Sequence, residues 1–165
     1  MEPTGADKQK MKIRLITVGT KMPAWTVTGY KEYQKRLTGS IQLELVEIPL
    51  TRRSKNADVK RYMEKEGAAM LAAIPPRYRV ICLDVTGKVL STEKLASSLD
   101  NCEQLGDNIA LLVGGPEGLD PACLARADER WSLSAMTLPH PLVRIVIAEQ
   151  IYRAWTILIG HPYHR

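Results

Sequence analysis

Residues 109–118 read IALLVGGPEG, a run of apolar residues that ends in a glycine-rich loop. An unbroken apolar run such as 109–113 is typical of a parallel strand that is buried on both faces of a sheet. Ligands of open α/β sheets bind beyond the carboxyl ends of such strands, and glycines let the main chain approach a ligand closely. The same loop also fits an ordinary tight turn. It carries neither a Walker pattern nor a dinucleotide-binding pattern, so the loop alone identifies no ligand.

The sequence on either side of this stretch alternates between strand-like and helix-like segments. The predicted strands are residues 12–18, 41–48, 79–83, 109–113 and 131–134. The predicted helices are residues 24–37, 56–73, about 121–127 and 142–159, together with a helix that is capped by Ser91 or Thr92 and ends at Leu105. Between these elements the sequence predicts a basic loop at 49–55, a turn at Thr86 and Gly87 and a rigid loop at 138–141. This alternation predicts an α/β fold, a single domain with a mainly parallel sheet and helices on both faces.

The composition excludes several classes of protein. The chain has 165 residues, of which 45% are hydrophobic and 25% are charged, as in one globular domain. No apolar run approaches the roughly 20 residues that span a bilayer, and residues 1–10 lack the apolar core of a secretion signal. The cysteines, Cys82, Cys102 and Cys123, are far apart and predict buried thiols in a reducing cytoplasm, with no metal site. We expect a flexible extension at 1–10, a domain at 11–165, a cytoplasmic location and no membrane partner.

The positive charge is concentrated in the first third of the chain. The net charge is +5, yet residues 8–61 contain 13 Lys and Arg against 4 Asp and Glu. Such a region is either a solvated surface or a cationic face for a polyanion such as RNA. Arg52, Arg53 and Lys55 lie in the aperiodic basic loop, where we expect them to contact RNA phosphates rather than to support the fold.

The last predicted helix is apolar nearly all the way round. Glu149, Gln150, Arg153 and Thr156 form one polar sector, and the remaining surface is too apolar for one packing contact. We therefore expect the helix to pack on its own sheet and on a second subunit, with residues such as Ile151 and Leu158 on the outer side.

Five segments together resemble the RlmH family of bacterial large-subunit rRNA methyltransferases. They are GGPEG (114–118), SLSAMTLPHPLVRIVIAEQIYRAW (132–155), HPYHR (161–165), KIRLITVGTKMP (12–23) and KNADVKRYMEKEG (55–67). The resemblance runs from residue 11 to residue 165 and implies the SPOUT fold, with a C-terminal trefoil knot, in a homodimer. It also implies methyl transfer from S-adenosyl-L-methionine to N3 of a pseudouridine in helix 69 of 23S rRNA, within the assembled 70S ribosome.

The resemblance also implies where the cofactor binds. Carried over by position, the cofactor site comprises Leu83, Gly114, Leu133, Ser134, Ala135, Met136, Thr137 and Leu138. A site of this kind would hold adenosine by main-chain groups and apolar walls, without a glycine fingerprint.

The transfer of a methyl group to N3 requires that the base lose a proton and that the resulting anion be stabilised. The candidate residues for orienting the substrate and stabilising this charge are Arg153, Tyr163, His164, Arg165 and His140. No residue stands out as a general base. Two alternatives remain open: a knotted methyltransferase acting on another RNA such as tRNA, and a ribosome-binding module without catalysis.

Overall fold

The computed structural model describes residues 10–54, 56 and 58–164, and strands and helices alternate along them. The strands are β1 Met11–Val18, β2 Ile41–Ile48, β3 Arg79–Val89, β4 Ile109–Val113 and β5 Glu129–Ser132. The helices are α1 Ala24–Gln34, α2 Val59–Ala72, α3 Thr92–Leu105, α4 Pro121–Arg126 and α5 His140–Ile159, followed by a 3-10 turn at Pro162–His164.

The strands form one sheet in the order β2-β1-β4-β3-β5, and every pairing is parallel. Strand β4 lies in the middle, between β1 and β3, and all of its residues are buried. The central parallel strand predicted at residues 109–113 is therefore confirmed.

Helices cover both faces of the sheet, as predicted. Along β1, Ile13 and Leu15 point into one core with side chains of α1, α3 and α5. Ile16 and Val18 belong to the opposite core, which includes Met70 of α2 and residues of α4. Strand β4 divides its side chains in the same way, because successive residues of a strand point to opposite faces.

Strand β3 differs from its prediction. It continues to Val89 instead of ending near Leu83, so the turn predicted at Thr86 and Gly87 lies within an irregular strand. Leu83 and Lys88 both pair with Trp131 of β5, and the intervening residues bulge out of the ladder. A Cβ atom on Gly87 would lie 2.7 Å from the main chain of Trp131, so only glycine permits this close approach. Strand β5 occupies residues 129–132 rather than 131–134.

Helix α5 also departs from its prediction. It begins at His140, inside the segment expected to be a loop, with Pro141 in its first turn. Ile151, expected on the outer side, is only 3% exposed and belongs to the core, and Leu158 packs against that core. Thr156, assigned to the polar sector, is fully buried. The helix packs between α1 and α3, so more of its surface faces its own chain than periodicity indicated.

Among the described residues, no helix is both long enough and apolar enough to cross a membrane. Of the predicted extension at residues 1–10, all but Lys10 lies outside the described residues. The flexibility of this extension and the C-terminal knot both stay predictions.

Candidate active site

A cavity of about 440 Å³ opens at the carboxyl edge of the sheet, where residues 83–85 in the middle of β3 meet the segments that follow β4 and β5. This is the edge at which open α/β sheets bind ligands, and the volume lies within the range of small-molecule sites. The lining residues come from the three segments and the start of α5: Leu83, Asp84, Val85, Val113, Gly114, Gly115, Pro116, Glu117, Gly118, Leu119, Ser132, Leu133, Ser134, Met136, Thr137, Leu138, His140 and Val143.

The structure brings together almost all of the residues expected to hold the cofactor. Leu83, Gly114, Leu133, Ser134, Met136, Thr137 and Leu138 line the cavity, whereas Ala135 does not. Asp84 and Glu117 are lining residues that the sequence reasoning missed. Their position gave a signal, because Asp84 directly follows the strand predicted at residues 79–83 and Glu117 lies in the loop after β4, both at the ligand-binding edge.

The glycine-rich loop is a tight turn and also a wall of the cavity, so both interpretations of its sequence hold. The Gly118 N–H donates to the Gly115 carbonyl at 3.0 Å, and Gly118 has a φ of +86°. The two ends of the loop cross in close contact: a Cβ on Gly114 would lie 2.4 Å from the Gly118 carbonyl carbon. By contrast, a Cβ on Gly115 would meet only side chains, that of Val18 at 3.4 Å and that of Leu50 at 3.7 Å. Glycine is therefore required by the backbone at 114 and 118 but not at 115.

The segment after β5 is folded by its own serines. The Ser132 hydroxyl donates to the Ser134 carbonyl at 3.1 Å, and the Met136 N–H donates to the Ser134 hydroxyl at 3.0 Å. Such local side-chain bonds favour a turn over continued pairing in the sheet. The turn leaves the Leu133 and Met136 side chains exposed at the cavity.

The charged groups of the cavity are acidic. Asp84 and Glu117 contribute carboxylates, and none of the described lining residues is Lys or Arg. The hydrogen-bonded guanidinium of Arg53 lowers the pKa of Glu117, so this group is ionised at neutral pH. Asp84 accepts a hydrogen bond from the Thr86 N–H at 3.2 Å. This lining favours a neutral or cationic ligand over one that carries phosphate.

His140 occupies the first turn of α5 and links the cavity wall to the end of β1. Its Nε2 donates to the Val18 carbonyl and lies 3.4 Å from the Thr17 hydroxyl. Burial is the main cause that lowers the pKa of His140, with the nearby charge of Arg144 acting in the same direction. The ring is therefore neutral at physiological pH, with its Nε2 proton held by the main chain.

Of the other candidate catalytic residues, those that the structure describes (Arg153, Tyr163 and His164) do not line the cavity. Arg153 pairs with Glu149 at 2.7 Å, and the Tyr163 hydroxyl donates to the same carboxylate at 3.1 Å. Tyr163 also packs on Tyr152, with ring centroids 4.5 Å apart, and the Arg153 guanidinium lies 5.0 Å from the Tyr163 ring. Burial and the bond to Glu149 raise the pKa of Tyr163 to about 12. The tail thus packs on α5 of its own chain.

The tail also contains His164 and Arg165. His164 follows Tyr163 in the 3-10 turn, and its buried Nδ1 has no hydrogen-bond partner among the described residues. Arg165 lies outside the described residues.

Arg53 has a structural position, contrary to the expectation for the basic loop. Its guanidinium pairs with Glu66 at 2.8 Å and with Glu117 at 2.5 Å, and it lies 5.1 Å from the ring of Tyr62. It is thus not free to contact phosphate. Arg52 is exposed, and Lys55 lies outside the described residues.

Residues 11–164 match the family model described as Predicted SPOUT methyltransferase. Because the match covers nearly the whole described chain, the chain belongs to the SPOUT methyltransferase family. Within this class it is 56% identical over 155 residues to the Ribosomal RNA large subunit methyltransferase H of Marinomonas sp. (strain MWYL1). It is 57% identical to the protein of the same name from Pseudomonas aeruginosa (strain UCBPP-PA14), and each alignment covers 94% of this chain and 100% of the relative. The resemblance seen in the sequence is confirmed.

Solved structures support the fold. A methylase family protein from Haemophilus influenzae Rd KW20 superposes with a TM-score of 0.53 at 14% identity, covering 96% of this chain and 71% of its own. One from Neisseria gonorrhoeae gives 0.50 at 14% identity, covering 92% and 86%. At this identity the likeness shows the fold only. It extends over nearly the whole chain, in agreement with the single domain predicted.

The environment of His140 predicts a pH dependence of stability. Because its pKa is lower in the folded than in the unfolded chain, acid protonates the unfolded chain first, and stability falls as the pH drops below about 6.5. His140→Gln keeps an N–H donor for Val18 but does not titrate. We expect the free energy of unfolding, measured by denaturant titration between pH 7.5 and 5.5, to fall less in this variant than in the wild type. Equal losses in the two proteins would contradict the assignment.

Proposed function

We propose that this methyltransferase transfers the methyl group of S-adenosyl-L-methionine to N3 of a pseudouridine in helix 69 of 23S rRNA, in the assembled 70S ribosome. The observation that carries this proposal is the cavity at the carboxyl edge of β3, β4 and β5, which unites the residues expected to hold the cofactor. The substrate is supported by the near full-length similarity to proteins named for methylation of large-subunit ribosomal RNA. An enzyme of ribosomes would act in the cytoplasm.

The cavity residues fit the proposed cofactor. The sulfonium and the amino group of S-adenosyl-L-methionine are positive, and the charged side chains lining the cavity are the carboxylates Asp84 and Glu117. Leu83, Leu133 and Leu138 offer apolar walls for a purine, and the glycine loop offers main-chain groups. When bound, the cofactor supplies an activated methyl group. The cavity residues would hold it in one orientation. Such positioning supplies most of the rate acceleration of an in-line methyl transfer.

The remaining candidates are assigned to the nucleotide rather than to the cofactor. Arg153, Tyr163, His164 and Arg165 would orient the pseudouridine and stabilise the charge that forms on loss of the N3 proton. Arg153 offers a permanent cation, and Tyr163 offers an aromatic face on which an extruded base can stack. His140, whose Nε2 is engaged by Val18, would fix the start of α5 beside the cavity instead of moving a proton through that atom.

We expect S-adenosyl-L-methionine to stabilise the protein. A ligand that binds only the folded state adds about 2.7 kcal/mol to the free energy of unfolding at 100 times its dissociation constant. Gly114→Ala should abolish this gain because its Cβ collides with the main chain at Gly118, 2.4 Å away. Gly115→Ala is the matched control and should retain the gain. Thermal denaturation with and without cofactor makes the measurement, and an unchanged wild-type melting temperature would refute the cofactor proposal.

Methylation of N3 blocks the Watson–Crick edge, so primer extension across helix 69 reports the reaction. We expect the enzyme to modify 70S ribosomes from a strain that lacks this gene. Deletion of residues 163–165 should leave cofactor affinity nearly intact, since neither Tyr163 nor His164 lines the cavity. It should slow methylation at least ~100-fold, the scale of lost substrate positioning. A fully active truncated protein would exclude a role for the tail. Modification of tRNA alone, or of no RNA, would favour the alternative functions.

We also propose that the protein is a homodimer. Ile151 does not support a dimer, because it is buried in its own chain. The support comes from the N-terminal turns of α1 and α5, which expose Trp25 (53%), Val27 (43%) and Leu142 (41%). Leu142→Glu should shift the protein from dimer to monomer in analytical ultracentrifugation. Leu105→Glu, at a leucine that is 66% exposed on α3, should leave the dimer intact. A wild-type protein that sediments as a monomer at micromolar concentration would contradict the proposal.

A further inference from the structure

The glycine-rich loop at the cavity has one side-chain tether among the described residues. Glu117, near the end of the loop, accepts two hydrogen bonds from the Arg53 guanidinium, at 2.5 and 3.3 Å. The other side chains of residues 114–118 are those of Gly and Pro, which form no such bonds. The position of the loop relative to the rest of the protein therefore depends on its own main chain and on this pair.

Arg53 is itself firmly held. The guanidinium donates to both carboxylate oxygens of Glu66, at 2.8 and 3.2 Å, and its Nη1 donates to the Thr51 carbonyl at 2.6 Å. The Glu66 side chain, on α2, is only 6% exposed, and that of Arg53 is 25% exposed. A paired guanidinium and carboxylate in this setting form charge-assisted bonds with a fixed geometry. Arg53 thus joins a buried anchor on α2 to the loop that walls the cavity.

We propose that Arg53 is a positioning residue of the active site: by bridging Glu66 and Glu117, it fixes the glycine-rich loop against α2 in the arrangement that binds the cofactor. Arg53 is not itself a lining residue of the cavity, so its effect passes through Glu117, which is one. The identity of the cofactor rests on the function proposed above. The tether itself rests on the contacts of Arg53 alone.

The loop needs such a tether because glycines leave its main chain many alternative conformations. A site that recognises its ligand by main-chain groups loses affinity when those groups are no longer held in place, and displacements of about 1 Å are costly. A charge effect would behave differently. Arg53 offsets the negative charge of Glu117, so removing the arginine would make the cavity more acidic and strengthen the attraction for a cation.

These two mechanisms predict opposite results. S-adenosylhomocysteine lacks the methyl group and the sulfonium charge but retains the positive amino group and the remainder of the cofactor. If Arg53 acts by position, Arg53→Ala and Glu117→Ala both weaken the binding of S-adenosyl-L-methionine and of S-adenosylhomocysteine. If it acts by charge, the two variants shift the affinity for S-adenosyl-L-methionine in opposite directions, and they shift that for S-adenosylhomocysteine in the same sense but by less, because it carries one positive charge fewer.

The experiment is calorimetric titration of both ligands into wild type, Arg53→Ala, Glu117→Ala and the double variant. We expect each single variant to weaken both ligands about tenfold, the scale of one charge-assisted hydrogen bond, and the double variant to be no weaker than either. Arg52→Ala, at the exposed neighbour, is the matched control and should keep the wild-type affinity. Wild-type affinity in Glu117→Ala, or effects of opposite sign in the two single variants, would overturn the proposal.

A second variant and a second measurement distinguish the loss of the tether from a loss of stability. Arg53→Ala leaves Glu66 buried without a cation and can lower stability, whereas Glu117→Ala severs the tether with the Arg53–Glu66 pair intact. Amide hydrogen exchange should be faster at residues 115, 117 and 118 in Glu117→Ala and unchanged along β4. Unchanged exchange in the loop would refute the tether without reference to any ligand. If the wild type bound no S-adenosyl-L-methionine, the cofactor proposal would fail while the exchange result still decided the role of Arg53.

Discussion

Strand β4 is buried along its whole length between β1 and β3, and this burial constrains the other elements of the fold. A strand covered on both faces requires helices on both sides of the sheet, which α1, α3 and α5 supply on one side and α2 and α4 on the other. The parallel direction of β4, β3 and β5 then brings their carboxyl ends to one edge. The cavity forms there because each chain segment must leave the sheet at that edge before it returns through a helix.

Some arginines of this protein are buried in ion pairs within the fold and are not available to a partner. Arg144, on α5, is only 2% exposed; it pairs with Glu47 at 2.7 Å and donates to the Gly19 carbonyl at 2.6 Å. Arg53 ties the glycine-rich loop to α2 in a similar way. Removal of one partner from such a buried pair leaves an uncompensated charge, which costs far more than the loss of an exposed pair. Net charge therefore overstates the cationic surface that is free to meet RNA.

The sequence was sufficient for the parts of the fold that depend on local pattern. Strands β1, β2 and β4, the cap of α3 at Ser91 (one of the two residues expected), and the place of the glycine-rich loop at a sheet edge all followed from periodicity and turn chemistry. The residues expected to hold the cofactor came from resemblance, and most of them lie around one cavity. Asp84 and Glu117 were missed although each follows a predicted strand, because a carboxylate in such a position can equally be solvated.

The failures share a physical cause, which is dependence on distant partners. Arg53 meets Glu66 and Glu117, which lie 13 and 64 residues away, so its buried role leaves no trace in the basic loop itself. The bulge in β3 exists because its chain passes over Trp131 of β5. Ile151 is buried because α5 lies between α1 and α3. Each of these outcomes was decided by tertiary contacts that periodicity does not encode.

The cavity and the tail are held in different ways, which accords with their different roles in the proposed reaction. The glycine-rich loop is fixed by a main-chain crossing at Gly114 and Gly118 and by Arg53, which pairs with Glu117 and is anchored on the buried Glu66. The tail is attached through Tyr163, which shares Glu149 with a partly exposed Arg153. The Arg153 side chain is 34% exposed, and phosphates of a bound RNA can offer it the same charge-assisted bonds that the carboxylate of Glu149 supplies. A rigid cavity suits the methyl donor, which is a small ligand of fixed shape. A tail that rearranges easily suits the nucleotide, because it can adjust to the large RNA substrate when that substrate binds.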